Sequence, residues 1–171
     1  MPSVRVLSSP VEPCLTHLLQ LALATIIRCL SPDEDPAVQL FAARTVENLA
    51  TVEQGPHLSS LLTHDVIVRL FHVLDRAKSS GLRRSASAGV FHLTALDVGL
   101  AQHLVDKVSA PAVAKLLQDS HGRVRQAILS TFVMLFANQG DTTRAQLATA
   151  ESQECLDLLL KYDRCQCTAL I

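Results

Sequence analysis

Cys165 and Cys167 stand one residue apart near the end of the chain. A close thiol pair is half of a common zinc site. The other half, a second close pair of Cys or His, does not follow them. A prenylation box needs its Cys four residues from the end, whereas Cys167 is the fifth. Two free thiols in a tail are therefore expected, with no metal and no cofactor. Seven histidines raise the question of acid–base or nucleophilic catalysis. That chemistry needs a nucleophile, a base and an orienting group held together, usually beside a backbone oxyanion hole. No nucleophile elbow, zinc-protease HExxH or paired-carboxylate signature is present, and the histidines fall in different segments. No catalytic residue can be assigned, and the chain is not expected to be an enzyme. The run RRSAS, Arg83 to Ser87, has the pattern of a basophilic kinase site. It opens a helical stretch, however, and its register gives Ser87 partial burial.

The elements that would have to position such residues are helices. Of 171 residues, 49% are hydrophobic, enough for a sizeable core, yet there is no Trp and only one Tyr and six Gly. Leu, Ala and Val dominate, so strong helix formers abound and strand-favouring aromatics are scarce. The formal net charge is −1 and the basic residues are dispersed, which gives no electrostatic footprint for nucleic acid. The apolar run LLQLALATII is too short to span a bilayer and is closed by Arg28, so no membrane insertion is expected. It also lacks the basic flank and small-residue cleavage site of a signal peptide. A cytoplasmic location follows from these readings. Of the five cysteines, Cys14, Cys29 and Cys155 lie in apolar helical patterns and should behave as small hydrophobes.

The helices repeat. VQLFAARTVENL begins at Val38, LRRSASAGVFHL at Leu82 and VRQAILSTFVML at Val124, at spacings of 44 and 42 residues. Aligned without gaps, Val38, Leu82 and Val124 match, as do Ala42, Ala86 and Ile128, and Val46, Val90 and Phe132. Leu49, Leu93 and Leu135 are identical. These positions form one apolar stripe on a helix. A second series interleaves with the first: IIRCL ends at Leu30, LFHVL at Leu74, VAKLL at Leu117 and CLDLL at Leu159. Its third position holds Arg28, His72, Lys115 and Asp157, which marks the solvent side. The polar breaks SPDEDP, EQGPH, KSSG, DSHG and NQGD separate the segments. The pieces HLSSLLT, VGLAQHLVDKV and TTRAQLATA read as shorter helices after each long one. A period in the low forties with this helix pattern belongs to armadillo and HEAT arrays, whose units bury their apolar faces only by stacking. The expected fold is all-α, a right-handed α-solenoid of about three and a half such units. Residues 1–13 form an irregular lead-in, 14–162 a single repeat domain and 163–171 a tail.

VQLFAARTVENLA resembles the armadillo long helix, and SHGRVRQAILSTFVMLFA a HEAT helix with Arg following a Gly-containing turn. More narrowly, QLFAARTVENLAT, LRRSASAGVFHLT, VDKV and VRQAILSTFVMLFA are similar to the C-terminal helical-repeat region of the Unc-51-like pseudokinase family, including its Fused-related members. That resemblance implies a repeat segment of a larger pseudokinase-like scaffold, with association to a cilium or flagellum. No glycine-rich phosphate loop, Val-Ala-Ile-Lys strand, His-Arg-Asp loop or Asp-Phe-Gly accompanies it.

Armadillo proteins that bind nuclear-import signals carry a ladder of Trp and Asn on the long helix. Here the Asn position holds Asn48, His92 and Met134, and the Trp position Arg44, Ala88 and Ser130. One match of six breaks the ladder and excludes that ligand class. With Glu47, these residues form the candidate partner-binding face: Arg44, Glu47, Asn48, Ala88, His92, Ser130 and Met134. Solenoids use such faces for protein partners, here a peptide or helix. The bland alternative is a solvated surface on which Arg44 and Glu47 make a weak pair. In that case the chain is a spacer between other domains.

Overall fold

The computed structural model describes residues 21–51, 64–147 and 157. The described residues are helices and their links, with no strand among them: α1 (residues 21–29), α2 (Pro36–Thr51), α3 (His64–Arg76), α4 (Ser80–Leu96), α5 (Val98–Lys107), α6 (Ala110–Leu117) and α7 (Gly122–Leu147). Two of these starts have a plain local cause. Pro36 opens α2 at a position where a missing N–H costs nothing, and the Asp35 carboxylate accepts from the Ala37 N–H at 2.7 Å. Asp97 alone separates α4 from α5. Its N–H donates to Leu93 O, closing one helix, while its side chain accepts from the Gly99 N–H at 2.8 Å, capping the next.

The long helices α2, α4 and α7 pack in succession, α2 on α4 and α4 on α7. Behind them α3 packs on α4 and α6 on α7, while α5 wedges against α3, α4 and α7. One apolar core runs through the array, from Leu23 and Leu30 beside α1 to Phe132 and Leu135 in α7. The aligned columns hold within it. Ala42, Ala86 and Ile128 are buried, as are Val46, Val90 and Phe132. In the second series Arg28, His72, Lys115 and Asp157 are all exposed. Buried hydroxyls bond to their own helix: Thr94 donates to Val90 O and Thr131 to Ala127 O. Among the described residues no helix is long and apolar enough to cross a membrane.

Three expectations are corrected. Val38 is 37% exposed, whereas Leu82 and Val124 in the same column are 1% and 0%. Leu49 is half-buried, whereas Leu93 and Leu135 are fully enclosed. The cause is the same for both. Helices α4 and α7 each have a long helix packed on the side that precedes them, but among the described residues α2 has none on that side. Third, the expected break NQGD is not a break, because α7 runs unbroken through Gly140 to Leu147. No Pro interrupts that stretch, and one interior Gly costs only about 1 kcal/mol relative to Ala. Asn138 spends its amide on Met134 O, at 2.7 Å, within the helix. The expected short helix HLSSLLT, the lead-in, the tail, Cys14, Cys155 and the Cys165–Cys167 pair all lie outside the described residues. Cys29 is a free thiol, half-buried against the core.

Candidate functional site

The candidate face draws on all three long helices. Helix α2 contributes Arg44 and Asn48, both exposed, and half-buried Glu47. Helix α4 contributes Ala88 and His92, and α7 contributes Ser130 and Met134, all four half-buried. None is enclosed, although the columns beside them are core. The two first helices come close here: a Cβ built on Gly89 would lie 3.9 Å from the Glu47 backbone nitrogen and 3.2 Å from Leu70 Cδ1. A small residue at 89 thus sets the approach of α4 to α2 at Glu47. The His92 ring packs tilted against Phe91, with centroids 5.3 Å apart. Arg44 and Glu47 are not among the ion pairs of the described residues, so the weak pair expected of a solvated face is not formed.

Adjacent to this face on α2 is a feature the apolar stripe does not foretell. Phe41 is 67% exposed, one turn from exposed Val38. Its column continues as Ser85, which is buried, and Ala127, which is half-buried. Small residues stand where a preceding helix presses on α4 and α7, and a large one stands where none does among the described residues. Comparing sizes down that column, rather than hydrophobicity alone, is the signal that finds it.

A second arrangement lies at the N-terminal ends of the long helices, where each is tied to the helix before it. Gln39 of α2 donates to Ser31 O at 2.7 Å. Arg83 of α4 occupies the same register and donates to Ala77 O at 3.1 Å and Lys78 O at 3.0 Å. Arg125 of α7, again in register, donates to Asp119 O. Each side chain reaches back to carbonyls at or just past the end of the preceding helix, where the helix ladder runs out; Ser31 O also accepts from the Glu34 N–H at 3.1 Å.

The junction between the α3–α4 and α6–α7 units carries two further contacts. Arg83 Nε lies 2.9 Å from Asp119 Oδ2, with the two side chains 18% and 10% exposed. Lys115 Nζ reaches Asp75 Oδ1 at 2.7 Å and also donates to Asp75 O at 2.8 Å. One unit earlier, Gln39 stands for Arg83, His72 for Lys115 and Ser31 for Asp75. The loop position of Asp119 falls on Arg76 or Ala77. None of these combinations makes an ion pair, and a cleft of about 440 Å³ opens there instead. Pro32, Glu34, Gln39, His72, Arg76 and Lys78 are among its walls.

Ser87, the candidate phosphoacceptor, is 1% exposed and donates to Arg84 O. Its two aligned residues, Ala43 and Leu129, are buried as well, so in the folded chain its hydroxyl faces packing and not solvent. Among the described residues no three His, Cys, Asp or Glu side chains gather as metal ligands. No model of a known protein family matches the chain, and no curated protein matches it.

Proposed function

We propose that this chain is a non-catalytic protein–protein interaction scaffold. In this reading it is a short right-handed α-solenoid of about three and a half armadillo/HEAT-like units. Its long helices line a concave face for a partner peptide or helix. It would serve as the repeat region of a larger pseudokinase-like protein of the Fused-related kind, cytoplasmic or associated with a cilium. The observation that carries the reading is the register of the face. Arg44, Ala88 and Ser130 share one column and Asn48, His92 and Met134 another on three helices packed in succession, and neither these residues nor Glu47 is enclosed. A surface without strong charge suits a polypeptide better than a nucleic acid. The competing reading is a structural spacer, favoured if the face is inert.

The test is a triple change, Arg44→Ala with His92→Ala and Met134→Ala. Interface energy concentrates in a few central residues, with Arg enriched among them. Helical signal and melting temperature should be kept while cross-linked capture of protein partners falls. Undiminished capture leaves the spacer, or another surface, as the better account. Salt-sensitive retention on duplex DNA or anionic vesicles would overturn the restriction to protein partners.

A further inference from the structure

We propose that the cleft at the first junction docks an acidic side chain of a partner polypeptide, an aspartate or glutamate supplied from outside. Such a group would enter the space left where the second junction has its ion pairs and meet Arg76 and Lys78 at its wall. The site is distinct from the long-helix face and rests on other residues.

The repeat register is the first argument. At the second junction two carboxylates meet Arg83 and Lys115, and the units are clasped. At the first, neither pair can form, since Gln39 and His72 replace the two cations while Ser31 and Arg76 or Ala77 replace the two carboxylates. Space remains where the clasp would be, of a size that holds peptide and ligand groups.

Charge is the second argument. Arg76, Lys78 and the His72 imidazole line the cleft against a single acid, Glu34. Arg76 and Lys78 are exposed, and neither is among the ion pairs of the described residues. A carboxylate set between them would gain charge-assisted hydrogen bonds. Glu34, the one acid of the lining, lowers the positive charge that an entering anion meets without cancelling it. The apolar part of the wall, Pro36, Val73 and Leu82, would cover residues flanking the acid.

The full chain is titrated with acetyl-Ala-Pro-Leu-Asp-Leu-Ala-amide, with its Asn counterpart and with its phosphoserine counterpart, and followed by amide-resolved NMR. The Asp peptide should shift amides of residues 32–39 and 72–82, saturably and more weakly at high salt. It should bind roughly tenfold tighter than the Asn peptide. Arg76→Glu with Lys78→Glu should lose that preference, and Arg76→Lys should keep most of it. Ser31→Asp with His72→Lys, which supplies an internal pair, should also weaken binding. Equal affinity for Asp and Asn overturns the proposal, as does tighter binding of the phosphopeptide or a response centred on other residues. If the charge-reversed protein does not fold, the peptide comparison on the unaltered chain decides by itself. The triple change on the long-helix face should leave this titration untouched, so the two readings fail separately.

Discussion

Two junctions built at the same positions of the repeat differ in how they are held. The second joins the α3–α4 unit to the α6–α7 unit and carries Arg83–Asp119 and Lys115–Asp75 over a shared apolar core. The first joins the α1–α2 unit to the α3–α4 unit. It keeps the core, has neither ion pair, and leaves a cleft; the Gln39 bond to Ser31 O lies within the α1–α2 unit. Apolar stacking is thus enough to bring units together, and the polar contacts are an addition that one junction has and the other lacks. Hydrophobic burial is non-directional and tolerates such variation. Ion pairs require both partners, so changing either column dissolves them.

The largest test of the comparison strikes what the junctions share. Leu93 lies in α4, which packs in both, and is fully enclosed. Leu93→Ala should destabilise the fold by about 2–5 kcal/mol, read from denaturant unfolding. Leu49→Ala, at the half-buried end of the same column, should cost clearly less. Equal losses would mean that α2 and α4 are equally enclosed in solution.

Next comes the clasp itself. Asp119 faces Arg83 and also accepts from the His121 N–H at 2.8 Å, at the entry to α7. Asp119→Ala removes both contacts and leaves a mostly enclosed guanidinium with only its carbonyl partners. A loss of about 1–3 kcal/mol is expected in thermal or chemical unfolding. Asp119→Asn keeps an acceptor for His121 and should cost less, so the difference between the variants isolates the ionic part. A smaller effect is expected from Lys115→Ala, since that side chain is 64% exposed. Its loss should stay within about 1 kcal/mol and shrink in salt. The smallest change is the transplant, Ser31→Asp with His72→Lys, which copies the Lys115–Asp75 columns into the first junction. A gain of less than about 1 kcal/mol is expected from so exposed a pair. A large gain would show that the first junction lacks more than its clasp.

The repeat columns read correctly wherever burial depends on neighbours within one unit. Ala42, Val46 and their equivalents are core, and Arg28, His72 and Lys115 face out, because a helix of known phase has one wet side. They misread Val38 and Leu49, whose burial needs a helix on the far side of α2. The NQGD segment was misread for another reason: Gly and polar residues permit a break without requiring one, and here the helix continues. Of the candidate face only Arg44 and Asn48 are exposed and the other five residues are half-buried, and the cleft has no signature in the sequence pattern. Gln39, Arg76 and Lys78 are ordinary polar residues until they are set beside Arg83, Lys115 and Asp119 one unit on.

By itself the sequence determined the helical class, the two interleaved series, the residues that line the common core and the lack of a strong charge. These follow from periodicity and composition, which every segment carries locally. Only the tertiary structure decided which side of α2 stays open, that α7 runs on through Gly140, and that one junction is clasped while its neighbour gapes. Those outcomes depend on pairs some 36 to 44 residues apart, such as Arg83 with Asp119 and Lys115 with Asp75. A contact exists only when the fold brings both members within a few ångströms, and no single segment records whether it does.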